Sequence, residues 1–359
     1  MTNAPSPAPG VLERTRAFAP ALLIGVAAFT IILAGARSIG DIIGPVFLAL
    51  VLTVTLHPIR LRLERTRLPG WACSALMLVS AYVVILLLTF ALLVSVARLA
   101  DLLPQYADEM RAAVVNVGNT LRGLGVKQDQ IDAVVTASDP GQLVDFVVSL
   151  LSGTLGVLTD LFFLFTVLLF LAFDTDSTRR SLATLGERFP DPVVALGSFA
   201  RGTRSYMAVS AGFGLVVAVI DGVALQIMGV PGAFVWAVLA FVTNFIPNIG
   251  FVIGVIPPAI IGLLEGGPSL MLAVIAVYCV INVVIQSIIQ PRYVGDAVGL
   301  SPTITLISLV FWAWLLGPLG ALLAVPLSLL LRAALVDADP TAHWSLPLLS
   351  GHPDGPDPA

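Results

Sequence analysis

The residues able to do chemistry in this chain are amides and one acid, set inside apolar runs. Asn282, Gln286 and Gln290 follow at i, i+4 and i+8, so a helix through them carries one stripe of carboxamides. Amides donate and accept hydrogen bonds without charge, a chemistry suited to a small polar solute. Asn244 and Asn248 lie in a second apolar stretch and would join them if the chain brought the two together. The same amides would equally serve to hold helices to one another, for about 0.6 kcal/mol each. Asp221 is the one carboxylate deep in an apolar run. Acids placed there are typically proton or cation sites, which makes it the candidate for ion coupling.

Catalytic patterns are missing by comparison. His57, His343 and His352 form no close ligand pair, and neither a GxxxxGK[ST] phosphate loop nor a GxSxG elbow occurs. No enzyme activity, metal or cofactor is expected. Any uphill movement of solute would draw on an ion gradient, a partner or the solute's own gradient.

The elements that must position the amides are two interrupted apolar stretches. In 231–264 the interruption is Asn244-Phe245-Ile246-Pro247-Asn248-Ile249-Gly250. In 300–336 it is Gly317-Pro318-Leu319-Gly320. Proline removes a backbone donor and glycine permits a reversal, so a straight helix is not expected through either point. The arm from Gly232 to Ile246 is short of the roughly 20 residues that cross a bilayer. Re-entrant hairpins are therefore expected, with kinked spanning helices as the other reading. Paired Gly/Pro-interrupted segments point to a transporter's binding site, so Asn244, Pro247, Asn248, Gly250, Gln290, Gly317, Pro318 and Gly320 join Asn282 and Gln286 as candidate path residues.

Composition sets the class. The 359 residues are 58% hydrophobic and only 11% charged, with several unbroken runs long enough to span. The fold class expected is all-α: a polytopic helical membrane protein with two broken or re-entrant segments. The net charge of −4 gives no reason to expect nucleic acid. Cys73 and Cys279 lie in apolar runs without partner spacing and read as small buried side chains.

Taken in order, residues 1–17 read as a disordered cytoplasmic tail and 18–97 as three membrane helices. Residues 98–145 form a polar helical insertion outside, 146–336 the membrane core, and 337–359 a disordered tail. The arginine-rich loops at 57–70 and 174–205 mark the cytoplasmic side. With the amino terminus inside, both loops fall inside and 98–145 outside. A first hairpin entered from outside, a span over about Leu270 to Ile289 and a second hairpin entered from inside then leave the tail in the cytoplasm. Val193 to Arg204 is expected as an interfacial helix ahead of a span from Tyr206 to Met228.

Several blocks resemble one family. Trp236, then Asn244-Phe245-Ile246-Pro247-Asn248-Ile249-Gly250, is similar to the W…N-F-I-P-x-x-G signature of the autoinducer-2 exporter (AI-2E) family. Gln290-Pro291-Arg292-Tyr293-Val294-Gly295, Gly299-Leu300-Ser301-Pro302 and the run from Gly317 to Pro326 resemble its later blocks in order and spacing. The resemblance covers about 12–335 and is loose over 98–145. It implies a bacterial inner-membrane permease, commonly a homo-oligomer, moving a small polar solute such as the quorum-sensing signal autoinducer-2. It also leaves sodium or proton antiport open, and Asp221 falls outside the matching blocks. The reading is thus a secondary transporter or facilitator for export by alternating access, with antiport or a non-transporting membrane scaffold as alternatives.

Overall fold

The computed structural model describes residues 24–65 (without 26 and 29), 69–106, 112, 122, 154–290 (without 248) and 299–350. Every described element is a helix or helical turn. After a helical stretch at 30–38 come α1 (Gly40–Glu64), α2 (Gly70–Leu102), α3 (Thr154–Arg188), α4 (Pro190–Ile227), α5 (Ala233–Thr243) and α6 (Gly250–Asn282). A π-helical turn, Val283–Ile289, continues α6, and α7 (Pro302–Leu322), α8 (Ala324–Arg332) and short terminal turns follow. The expected insertion 98–145 lies mostly outside the described residues, as do Asn248 and the first residues of the expected first span.

Among the described residues, five helical stretches suffice by length and composition to cross a membrane: Gly40–Leu63, Gly70–Arg98, Pro190–Ile227, Gly250–Gln286 and Pro302–Leu322. The last two are interrupted by non-helical glycines, Gly266 and Gly267 in one and Gly317 in the other. A sixth candidate is the pair Thr159–Thr175 and Ser177–Arg188, bent by 55°. Their flanks carry large side chains in the open, among them Phe90, Phe162, Phe170, Leu87 and Ile227. Such a surface suits hydrocarbon rather than water. The protein is a polytopic helical membrane protein.

α4 differs from expectation. It is one helix of 38 residues, with no separate interfacial helix over Val193–Arg204. Pro190 and Pro192 sit in its first turn, where a missing N–H costs nothing. No proline follows within the helix to stop it. At about 57 Å it exceeds the roughly 30 Å of hydrocarbon, so much of it projects beyond. α4 is also the hub, packing on α1, α3, α5, α6 and α8.

The carboxyl end carries more structure than the disorder expected for 337–359. Pro340–Ser345 is a 3-10 turn capped by Asp339, whose side chain accepts from the Thr341 N–H. Leu346–Ser350 is a helical turn, and the Leu349 carbonyl accepts from the Ser301 N–H at 2.8 Å. Arg332 joins the same region, donating to the Gly299 carbonyl at 2.8 Å and pairing with Asp337 at 3.2 Å.

Candidate functional site

Each interrupted stretch folds back on itself. Gly229 and Gly232, both at φ 75°, turn the chain from α4 into α5. Trp236 pins that corner, fully buried, with its indole N–H donating to the Pro231 carbonyl at 2.8 Å. α5 then runs only to Thr243, and turns carry the chain to Gly250. Backbone groups in this break are satisfied locally and from α4. Ile246 N–H donates to Thr243, Ile249 N–H to Pro247 and Gly250 N–H to Ile246, while the Tyr206 hydroxyl donates to the Phe245 carbonyl at 2.8 Å. Irregular backbone at membrane depth requires such protein partners.

Glycine is needed where the arms meet. A Cβ at Gly250 would collide with the Thr243 carbonyl, and one at Gly254 would stand 3.1 Å from the Thr243 hydroxyl. α6 then reverses in turn at Gly266 and Gly267, the latter at φ 71°. A straight helix would hold Gly254 and Tyr278 about 36 Å apart, yet both line one cavity. α5 and the two halves of α6 thus form three adjacent arms against α4.

The second stretch reverses at Gly317, at φ 66°, a conformation that L side chains avoid. A Cβ at Gly320 would collide with the Trp312 carbonyl, two groups that a continuous helix would keep about 12 Å apart. The Trp312 indole N–H donates to the Ser328 hydroxyl at 3.0 Å, tying α7 to α8. The two breaks also meet. Phe245, Ile246 and Ile249 pack against the buried cluster of Leu309, Trp312, Leu315, Leu316, Leu323 and Leu327. Their junction is apolar, and Gly317, Pro318 and Gly320 are not among the residues that line the polar cavity described next.

The polar cavity lies on the other side of the first break. It measures about 10 Å³, room for a single water at most. Asn244, Asn282 and Gln286 face it, together with Asp221, Thr243 and Tyr278. The Gln286 side-chain N–H₂ donates to Asn282 Oδ1 at 2.8 Å and to Asn244 Oδ1 at 3.1 Å. Asn244 Nδ2 donates to the Ser210 carbonyl of α4 at 2.9 Å, and Asn282 Nδ2 to the Tyr278 carbonyl at 2.9 Å. One chain of amides therefore joins α4, the break, α6 and its π-helical turn. Gln290 caps that turn and does not line the cavity. Pro247 shapes the break through its carbonyl without facing the cavity.

Asp221 is wholly buried, and neither carboxylate oxygen has a hydrogen-bond partner among the described residues. The Tyr278 hydroxyl is likewise buried and unsatisfied. Ser210, Gly214, Val217 and Asp221 form one face of α4 at spacings of 4, 3 and 4. Gly214 makes room for the break: a Cβ there would stand 2.9 Å from Asn244 Nδ2. That face was readable in the sequence from its period, whereas the part played by Tyr278 depends on the reversal of α6.

A much larger cavity, about 580 Å³, opens between α2, α4 and α5. Its walls include Leu88, Leu215, Val219, Phe234 and Phe241, with Gln226 as the one polar side chain. It can hold hydrocarbon but offers a polar solute almost nothing. α4 separates the two spaces, with Ala218 and Gly222 on the groove and Val217 and Asp221 on the polar cavity.

The model of the AI-2E family transporter matches residues 21–338, nearly the whole chain. The chain belongs to the AI-2E transporter family. Among its relatives is the AI-2 transport protein TqsA of Escherichia coli (strain K12), 31% identical over 315 residues, covering 88% of this chain and 91% of TqsA. A putative transport protein of Haemophilus influenzae is 29% identical over 328 residues, 90% of this chain and 94% of its own. The putative transport protein YhhT of E. coli (strain K12) is 29% identical over 307 residues, with 86% and 88% covered. As an AI-2E transporter, the chain is a multi-pass membrane protein that handles a solute in a lipid environment. Within this family member the polar cavity beside the first break is the candidate site.

Proposed function

We propose that this AI-2E transporter is a secondary transporter or facilitator exporting a small polar solute, of the class of autoinducer-2, across the bacterial cytoplasmic membrane. The carrying observation is the amide chain Asn244–Gln286–Asn282 at a helix break, beside an otherwise apolar core. In the closed arrangement these amides bond one another. A solute with hydroxyl and carbonyl groups would replace those bonds one for one, so opening around it leaves no buried polar group unpaired. The two breaks meet in an apolar contact, which can part and re-form without breaking hydrogen bonds. Both are read as re-entrant segments whose movement against α4 gives alternating access, with no catalytic step. Both termini are assigned to the cytoplasm from the arginine-rich loops. Family resemblance favours a homo-oligomer. The name of the relative TqsA supports autoinducer-2 as the first solute to try.

The test is export from cells that make autoinducer-2 and lack other exporters. Producing this protein should lower the signal inside and raise it in the medium, at equal total synthesis. An unchanged ratio, with the protein correctly folded in the membrane, rejects autoinducer-2 as the solute. Cation antiport is the second reading, favoured by the unpartnered carboxylate of Asp221.

A further inference from the structure

We propose that Asp221 is a proton-binding site whose occupancy is linked to closure of the amide cavity, making the proton rather than sodium the coupling ion. The inference rests on the transport reading above and specifies its ion.

Three observations carry it. Asp221 is 0% exposed, and both its oxygens lack hydrogen-bond partners among the described residues. A bare carboxylate so placed is costly, and such a group neutralises itself unless it is paired. Among the described residues no arginine, lysine or histidine lines the cavity to pair with it, and α5, packed alongside, carries no titratable side chain. Tyr278, from α6, is the only other titratable group facing the space among the described residues. Apart from these, Val217, Ala240 and Phe251 supply apolar wall.

The space also selects the ion. A metal cation needs several oxygen ligands around it, as hard cations do generally. Here Asn244 Oδ1 and Asn282 Oδ1 are already accepting from Gln286. The void of about 10 Å³ leaves room for one water and not for a hydrated ion, so a metal cation would have to bind stripped of its water, on the few oxygens that are left. A proton needs no room and no ligand shell.

Closure and protonation are then linked. With the O–H bond formed, the neutral carboxyl can remain in the dry cavity and α5 can close on α4. When the arms part and water enters, that O–H bond breaks, the proton passes to water and the carboxylate is solvated. Reclosing without solute requires a proton to return, from whichever side the cavity then faces. A bound solute that donates hydrogen bonds to the carboxylate takes the proton's place, so the two exchange.

The experiment uses the purified full chain in two measurements. Infrared difference spectroscopy, titrated with pH, should show the carbonyl stretch of a protonated carboxylic acid, shifted by deuterium exchange and absent from Asp221→Asn. Persistence of the band in Asp221→Asn, or its absence from the wild type across the titration, overturns the assignment. The second measurement is flux of autoinducer-2 in liposomes with the membrane potential clamped at zero. With one-to-one exchange, a gradient of one pH unit should sustain a solute gradient of up to about tenfold. In Asp221→Asn, neutral and of the same shape, the pH gradient should sustain no solute gradient, whatever the rate of flux that remains. A sodium gradient that drives flux where a pH gradient does not would overturn the proton assignment. If no autoinducer-2 moves under any gradient, the solute reading fails, while the infrared titration still decides the proton site.

Discussion

Export by the double variant Asn282→Leu, Gln286→Leu should fall at least about tenfold, with the amount of folded protein in the membrane unchanged. Gln286 is the hub of the amide chain, donating to both Asn244 and Asn282. Removing both α6 amides deletes the groups that would meet solute on that side. Each lost hydrogen bond to a bound solute is worth about 0.5–1.5 kcal/mol, so two or three account for a tenfold loss or more. Stability should suffer little, because such bonds average only about 0.6 kcal/mol between membrane helices and leucine fills similar volume. Asn244 would keep its bond to Ser210, so the break stays anchored to α4. Detergent-solubilised variant and parent should therefore elute alike in size-exclusion chromatography. Full transport by a well-folded double variant would assign the amides to helix packing alone.

Gly250→Ala and Gly320→Ala should each lose most of the folded protein. Both positions are contact points where the reversed chain meets its own backbone, Gly250 on the Thr243 carbonyl and Gly320 on the Trp312 carbonyl. A rigid carbonyl cannot swing aside as the end of a long side chain can. Overpacking typically costs about 1–3 kcal/mol, and here it also opens the reversal that seats its neighbours. Gly320→Ala should be the clearer case, since Trp312 and Ser328 lose the geometry of their bond as the arms part. Gly25→Ala is the control: among the described residues nothing stands within 4 Å of a Cβ there, and its folded yield should equal that of the parent. Equal yield for Gly250→Ala and Gly320→Ala would mean that neither stretch is folded back as tightly as described.

Much of this could be read from the residues, for identifiable reasons. The membrane class follows from composition, and both breaks follow from glycine and proline chemistry, which acts locally. The amides Asn282 and Gln286 were visible through helical period. The same period groups Gln290 with them, but the π-helical turn Val283–Ile289 widens the helix, and Gln290 does not reach the cavity. A π-turn leaves no residue pattern comparable to that of a helix cap. The second break was expected to contribute to a polar site, yet Leu315, Leu316 and Leu323 make its junction with the first break apolar. Which side of a reversal faces polar neighbours is decided by packing between elements far apart in sequence. Asp221 stood out as a buried acid, but its neighbours Tyr278 and Thr243 come from two other arms. Their convergence depends on the reversal at Gly266 and Gly267 and on the close approach that Gly214 and Gly222 permit.

The central claim is that a small polar solute crosses through the amide cavity, and flux in a purified system tests it most directly. The protein is reconstituted into liposomes loaded with autoinducer-2, and release is followed after dilution, beside the Asn282→Leu, Gln286→Leu variant and protein-free vesicles. The account predicts saturable release by the parent, at least about tenfold faster than by the variant, whose rate approaches that of bare vesicles. Equal release from parent and variant vesicles, both above the protein-free rate, would contradict it.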